Sequence, residues 1–253
     1  MMQVVVRSAW LPKAGNTLDE YEDAFYPNYQ GERGGSRISF AVADGASEGM
    51  LSGPWAQILV RAFCRVNSPP APFDALLNRA LKAWTEWRTY YLQAREQQNR
   101  PIQWYEETGL QRGAFSTLLG ITLSQGAANR WDVIALGDSC LFQVREGKLI
   151  TTFPLKKSTE FDNRPFLIAS NPANNAGLLE RVRHTHSDWR SGDRFYLMTD
   201  ALAYWFLHEC EAGHSPWDDL PLQRQEFERH VQALRAARAM RNDDVTLISI
   251  EIR

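Results

Sequence analysis

The sequence is short of cysteine, of net charge and of long apolar runs. Cysteine occurs three times in 253 residues, as Cys64, Cys140 and Cys210. The three are far apart, odd in number and contain no CxxC, so no disulfide framework is legible. Cys64 and Cys140 lie inside apolar runs and read as buried thiols of a reducing compartment. The formal net charge is −2, which excludes a broad face for nucleic acid or for an anionic membrane. No apolar stretch approaches the length that spans a bilayer. The opening MMQVVVRSAW lacks the anatomy of a signal peptide. Neither a fixed-period repeat nor a low-complexity tract is present. These absences point to a soluble cytoplasmic chain with no nucleic-acid or membrane partner.

What is present is ordinary in amount and unusual in arrangement. The apolar fraction of 44% supports a sizeable core. In Arg37–Ser52 (RISFAVADGASEGMLS), an apolar strand from Ile38 to Ala43 stops at Asp44-Gly45. Ser52 then reads as a helix N-cap, with Gly53 and Pro54 in the first turn. The design recurs: WDVIALGDS ends its apolar run at Asp138, and DRFYLMTDA ends at Asp200. A fourth run, Val245 to Ile250, begins just after Asp243-Asp244.

Other elements follow from period and punctuation. A first strand, read as an edge, covers Gln3 to Ala9, and a loop covers Leu11 to Tyr21. A short strand beginning at Glu22-Asp23 pairs with the Asp44 strand, with Gly31 to Gly35 as the turn between them. Ser68 to Pro72 is a linker. A long amphipathic helix spans Phe73 to about Gln98, its tryptophans packing on a sheet. Strands are predicted over Ala114–Ser124, Arg130–Gly137, Val182–His186 and Arg194–Thr199. A hairpin turns at Glu146-Gly147, and Phe153 to Leu179 is irregular. Helices run from Asp200 to His208 and from Leu222 to Met240. Strands in hairpins with helices in pairs indicate an α+β fold, with sheets covered by helices on their outer faces.

The acids Asp23, Asp44, Asp138, Asp200 and Asp243 carry the chemistry. Crowded carboxylates resist joint ionisation unless a cation lies between them. Oxygen donors without cysteine or histidine favour Mg²⁺ or Mn²⁺ over Zn²⁺. Singly, each aspartate reads as a turn or cap residue.

Together with their neighbours these acids resemble the metal-dependent protein phosphatases of type 2C, bacterial-type. The matching motifs come in the family's order: Glu22-Asp23-Ala24, Val42-Ala43-Asp44-Gly45, Phe115-Ser116-Thr117, Leu136-Gly137-Asp138-Ser139, Met198-Thr199-Asp200 and Asp243-Asp244-Val245-Thr246. The resemblance implies a single domain over residues 1–253, a four-layer α/β/β/α sandwich of two antiparallel sheets flanked by helix pairs. It implies two Mn²⁺ or Mg²⁺ ions and room for a third. Asp44 would bridge the ions, with the Gly45 carbonyl on one of them. Asp200 and Asp243 would hold one ion, and Asp23 or Glu22 the other. Asp138 would either hold the third ion or be a buried turn aspartate. The implied reaction is hydrolysis of phosphoserine or phosphothreonine on a protein, opposing a Ser/Thr kinase, by a bridging hydroxide without a covalent intermediate. A monomer is expected.

The sequence departs from the family pattern at Ala46, Ala201 and Asp244. Thr17 and Leu18 stand where a phosphate-binding arginine is usual, and Lys13 is the candidate replacement. The departures keep two alternatives open: a weakly active binding module of the same fold, and a metal phosphoesterase for a small molecule. His184 and His186 form an HxH on one strand face, but with no third ligand in view a solvated strand edge is the plainer reading. The arginines of the last helix are interrupted by Glu226 and Glu228 and read as a solvated face.

Overall fold

The computed structural model describes residues 1–47, 49–65, 72–162 and 164–253. All but Pro72 of the Ser68–Pro72 linker lies outside the described residues. In chain order the elements are β1 (Met2–Leu11), β2 (Ala24–Tyr26), β3 (Gly31–Gly35), β4 (Arg37–Ala43), α1 (Ser52–Cys64), α2 (Phe73–Gln97), α3 (Trp104–Arg112), β5 (Phe115–Ser116), β6 (Leu118–Ser124) and β7 (Arg130–Leu136). There follow β8 (Cys140–Arg145), β9 (Lys148–Phe153), β10 (Ile168–Ala169), β11 (Arg183–Asp188), β12 (Arg194–Met198), α4 (Asp200–Glu211), α5 (Pro216–Asp219), α6 (Arg224–Ala236) and β13 (Val245–Ile252).

Two sheets dominate. One has six strands in the order β3-β1-β13-β12-β8-β9, the other five in the order β11-β7-β6-β4-β2. All their pairings are antiparallel. Strand alternation sorts the side chains into layers. Ile38, Phe40 and Val42 of β4 meet Ile248, Ile250 and Ile252 of β13 in the core between the sheets. Ala41 and Ala43 face outward onto Trp55, Leu59 and Val60 of α1 and Ala80 and Trp84 of α2. On the other side, Tyr196, Met198 and Leu247 pack on Leu202, Phe206, Phe227 and Val231 of α4 and α6. Both faces of each sheet are thus covered, as the long apolar runs require, and the layers are α/β/β/α.

Several sequence expectations need correction. Gly31–Gly35 is a strand, not a turn, and pairs with β1 from Met2↔Gly35 to Val6↔Gly31. With β3 on one flank and β13 on the other, β1 is interior rather than an edge. Glycine content mimicked a turn here because an edge strand needs few packing side chains. Ser52 does not cap α1. Leu51 occupies the cap in left-handed backbone (φ 65°), while Ser52 Oγ donates to the carbonyls of Ala46 and Gly49, at 2.8 and 3.2 Å. The last helix is shorter than its apolar pattern, ending at Ala236. The hairpin at Glu146-Gly147 stands as expected, both residues having positive φ (50° and 70°).

Candidate metal centre

Asp44 follows β4, where the chain leaves the five-stranded sheet. Its peptide is clamped by the break between β5 and β6. The Asp44 N–H donates to Thr117 Oγ1 at 2.9 Å, while the Thr117 N–H and Ser116 Oγ both donate to the Asp44 carbonyl at 2.8 Å. Gly45 is required by crowding. A Cβ there would lie 2.5 Å from the Glu22 carbonyl oxygen and about 3 Å from the Ser52 backbone.

Asp138 sits in the connection from β7 to β8, behind Gly137, whose φ of +103° favours glycine. Asp200 opens α4, and its Oδ1 accepts from the Ala201 N–H. Ala201 lies in the first turn of α4, a helical position that alanine fills at no backbone cost. Asp243 precedes β13. Its backbone carbonyl accepts from Arg235 Nη2, and Arg235 Nη1 also reaches the Pro12 carbonyl at 3.0 Å.

These sites converge. Asp44, Gly45, Asp138, Asp200 and Asp243 line one cleft of about 550 Å³, together with Ala46, Ser47, Asp162, Arg164 and Arg241. Asp23 is not among the cleft-lining residues. It is buried and faces the adjacent cavity beside Tyr21 and Trp10. Its Oδ2 accepts from Thr199 Oγ1 at 2.8 Å and Thr246 Oγ1 at 2.7 Å, tying it to β12 and β13. Glu22 is half-buried and likewise not a lining residue of the cleft.

The electrostatics are those of a cation site. Burial, then the charges of Asp23, Asp200, Asp138 and Asp243, push the Asp44 carboxyl well above its usual range. Burial also raises Asp23 strongly, against the opposing pull of the Thr246 hydrogen bond. Asp200 is raised by burial despite the neighbouring Arg241, and Glu22 by burial as well. Burial and the Asp200 charge push Asp138 to about 7. Among the described residues Asp138 Oδ1 is buried with no hydrogen-bond partner, an open ligand position of the kind a cation fills.

Asp244 has a different task. Its Oδ1 accepts from the Lys13 N–H at 2.8 Å and its Oδ2 from the Glu22 N–H at 2.7 Å. A carboxylate, with acceptors on both oxygens, can hold both loops at once. Lys13 is therefore anchored through its backbone, and it is not among the residues lining the acid cleft. The cations that do line it are Arg164 and Arg241, with Arg241 Nη2 2.8 Å from Asp200 Oδ2. Sequence reasoning missed Asp162, Arg164 and Arg241. The first two lie in the irregular stretch, where no period marks a face. Arg241 read as one of a row of surface arginines. Its only signal was its place two residues before Asp243.

A family model described as Protein phosphatase 2C matches residues 19–244. Among solved structures, the serine/threonine phosphatase PstP/Ppp of Mycobacterium tuberculosis aligns with 17% identity and a TM-score of 0.58, over 99% of both chains. The catalytic domain of PstP in complex with two manganese ions aligns at 19% identity and a TM-score of 0.54, over 98% of this chain and 99% of that one. RsbX in complex with magnesium aligns at 14% identity and a TM-score of 0.54, over the whole of both chains. No curated protein sequence matches.

Proposed function

The chain belongs to the protein phosphatase 2C family, and we propose that it is a Mn²⁺- or Mg²⁺-dependent phosphatase of phosphoserine and phosphothreonine proteins, opposing a Ser/Thr kinase, with residues 1–253 as one domain. The observation that carries this reading is the convergence of Asp44, Asp138, Asp200 and Asp243 on one cleft. The donor set fits a hard divalent cation. It is all oxygen, burial and the neighbouring acids raise the Asp44 and Asp138 carboxyls, and Asp138 Oδ1 lacks a partner among the described residues. PstP and RsbX, which share the fold, hold manganese and magnesium.

Asp44 and the Gly45 carbonyl would hold the ions centrally, Asp200 and Asp243 from the six-stranded sheet, and Asp138 a further one. Asp23 and Glu22 stand behind Asp44 and would act partly through water. Bound there, the ions would lower the pKa of a water and neutralise charge on the phosphoryl oxygens. The protein's own contribution is position. Thr117 fixes the Asp44 peptide, and Thr199 and Thr246 fix Asp23. Arg241 has donors left over from its pair with Asp200 and can offer them to a phosphate oxygen, with Arg164 across the cleft. Lys13 stands near Glu22, outside the lining of the cleft.

Purified protein should hydrolyse p-nitrophenyl phosphate and phosphopeptides when Mn²⁺ is added, and stop with EDTA. Asp44→Asn should remove about a thousandfold or more of the rate. Metal-independent turnover that survives Asp44→Asn defeats the reading. A preference for nucleotides over phosphopeptides would move the substrate to a small molecule. The Arg241–Asp200 pair supports a second reading, a weakly active module that recognises a phosphoprotein with its cleft closed by that guanidinium. Calorimetric Mn²⁺ binding without turnover on any phosphopeptide would favour it.

A further inference from the structure

We propose a second metal site, independent of the acid cleft, in which His184, His186 and Asp132 bind one borderline transition-metal ion of the Zn²⁺ type. His184 and His186 are two apart on β11, so both rings stand on one face of the sheet. Their ring centroids are 5.9 Å apart. The third ligand, absent from the sequence pattern, comes from the neighbouring strand: Asp132 of β7 lies directly opposite His186 in the register. One ligand atom from each of the three residues lies within 4.8 Å of the others. Bonds of about 2.0–2.1 Å to a tetrahedral ion place ligand atoms roughly 3.4 Å apart. Both imidazoles are exposed and can close that difference by rotating their side chains, leaving the fourth position to water.

The carboxylate is prepared for this role. Asp132 is nearly buried, and Arg130 grips it, Nη2 at 2.6 Å and Nε at 3.0 Å from Oδ1. Among the described residues Oδ2 receives only Nε, at 3.1 Å, so a metal on Oδ2 leaves the shorter contacts intact. Such an outer partner orients a ligating carboxylate.

The position separates this site from the first. Asp132 precedes Asp138 by six residues of mostly extended chain, about 20 Å at the rise of a strand. The chemistry separates them too. Two imidazoles with one carboxylate suit Zn²⁺, whereas the oxygen-only cleft suits Mg²⁺ or Mn²⁺. Because β11 is the edge strand of its sheet, an ion there staples it to β7 and blunts an edge otherwise open to pairing.

The test is a calorimetric Zn²⁺ titration of the whole protein in excess Mg²⁺, which keeps the cleft filled. One equivalent should bind. His184→Ala and His186→Ala, both at exposed positions, should each weaken binding tenfold or more, and Asp44→Asn should leave it unchanged. Co²⁺ in place of Zn²⁺ should give the visible absorption of a four-coordinate ion, lost in the histidine variants. No Zn²⁺ binding in excess Mg²⁺, or binding equal in wild type and both histidine variants, overturns the proposal.

Discussion

Replacing Asp138 by asparagine should stabilise the metal-free protein above neutral pH. Asp138 is 5% exposed, and burial with the Asp200 charge lifts its carboxyl from 3.8 to about 7. The folded state therefore keeps a proton that the unfolded chain gives up near pH 4. Between those values stability falls as pH rises, by about 1.4 kcal/mol per pH unit for this group. Above pH 7 the loss is complete and amounts to roughly 4 kcal/mol. Asparagine has nearly the same shape, keeps the Oδ1 acceptor that lacks a partner among the described residues, carries no charge, and turns its two new N–H donors toward a cleft rich in carboxylate acceptors. The variant should gain about 2–4 kcal/mol at pH 8, an upward shift of roughly 10 °C in a chain of this size, and nothing at pH 4. Thermal or urea unfolding of EDTA-treated protein from pH 4 to 8.5 measures this. Added Mn²⁺ should abolish the difference or reverse its sign. Superimposable pH profiles for wild type and Asp138→Asn without metal would refute the argument that the cleft is destabilised by its own charge.

Arg241→Ala should raise the KM for a phosphopeptide about tenfold, a loss near 1.4 kcal/mol, with a smaller effect on kcat; an unchanged KM would remove Arg241 from substrate binding. Gly45→Ala forces a methyl against the Glu22 carbonyl and should cost about 1–3 kcal/mol of stability along with Mn²⁺ affinity, read by urea unfolding and calorimetry. Arg145→Ala strips the Nε and Nη2 partners from the fully buried Asp193, each at 2.7 Å, and should cost about 3–5 kcal/mol in chemical denaturation while leaving metal affinity intact.

Much of this was legible in residue patterns because burial and strand ends leave local traces. The runs Ile38–Ala43 and Val245–Ile250 are apolar on both faces because each strand is sandwiched between the other sheet and helices. Asp44, Asp138, Asp200 and Asp243 each follow or precede such a run, so the sequence announced where the chain surfaces in the cleft. It could not announce distance. That Asp23 retreats behind Asp44 onto two threonines depends on β2 lying beside β4, and on β12 and β13 closing over it. Arg241 and Arg164 share the cleft only because two remote loops meet. Asp132 joins His184 and His186 through register, which no spacing within β11 encodes. Ser52 misled because a serine before a helical run fits a cap, whereas its hydroxyl turns back to hold the loop carrying Gly45.

Asp44 is suspended from one sheet, Asp200 and Asp243 from the other, and the apolar layer together with the Asp23 hydrogen bonds to Thr199 and Thr246 sets their spacing. The cleft thereby acts as a vernier for the sandwich. If the chain has the proposed activity, a slip of about 1 Å between the sheets, too small to unfold anything, should cost on the order of a hundredfold in rate. Trimming Phe40 or Ile250, deep in that layer, should thus mimic a lesion in the chemistry itself while the fold still melts as a unit.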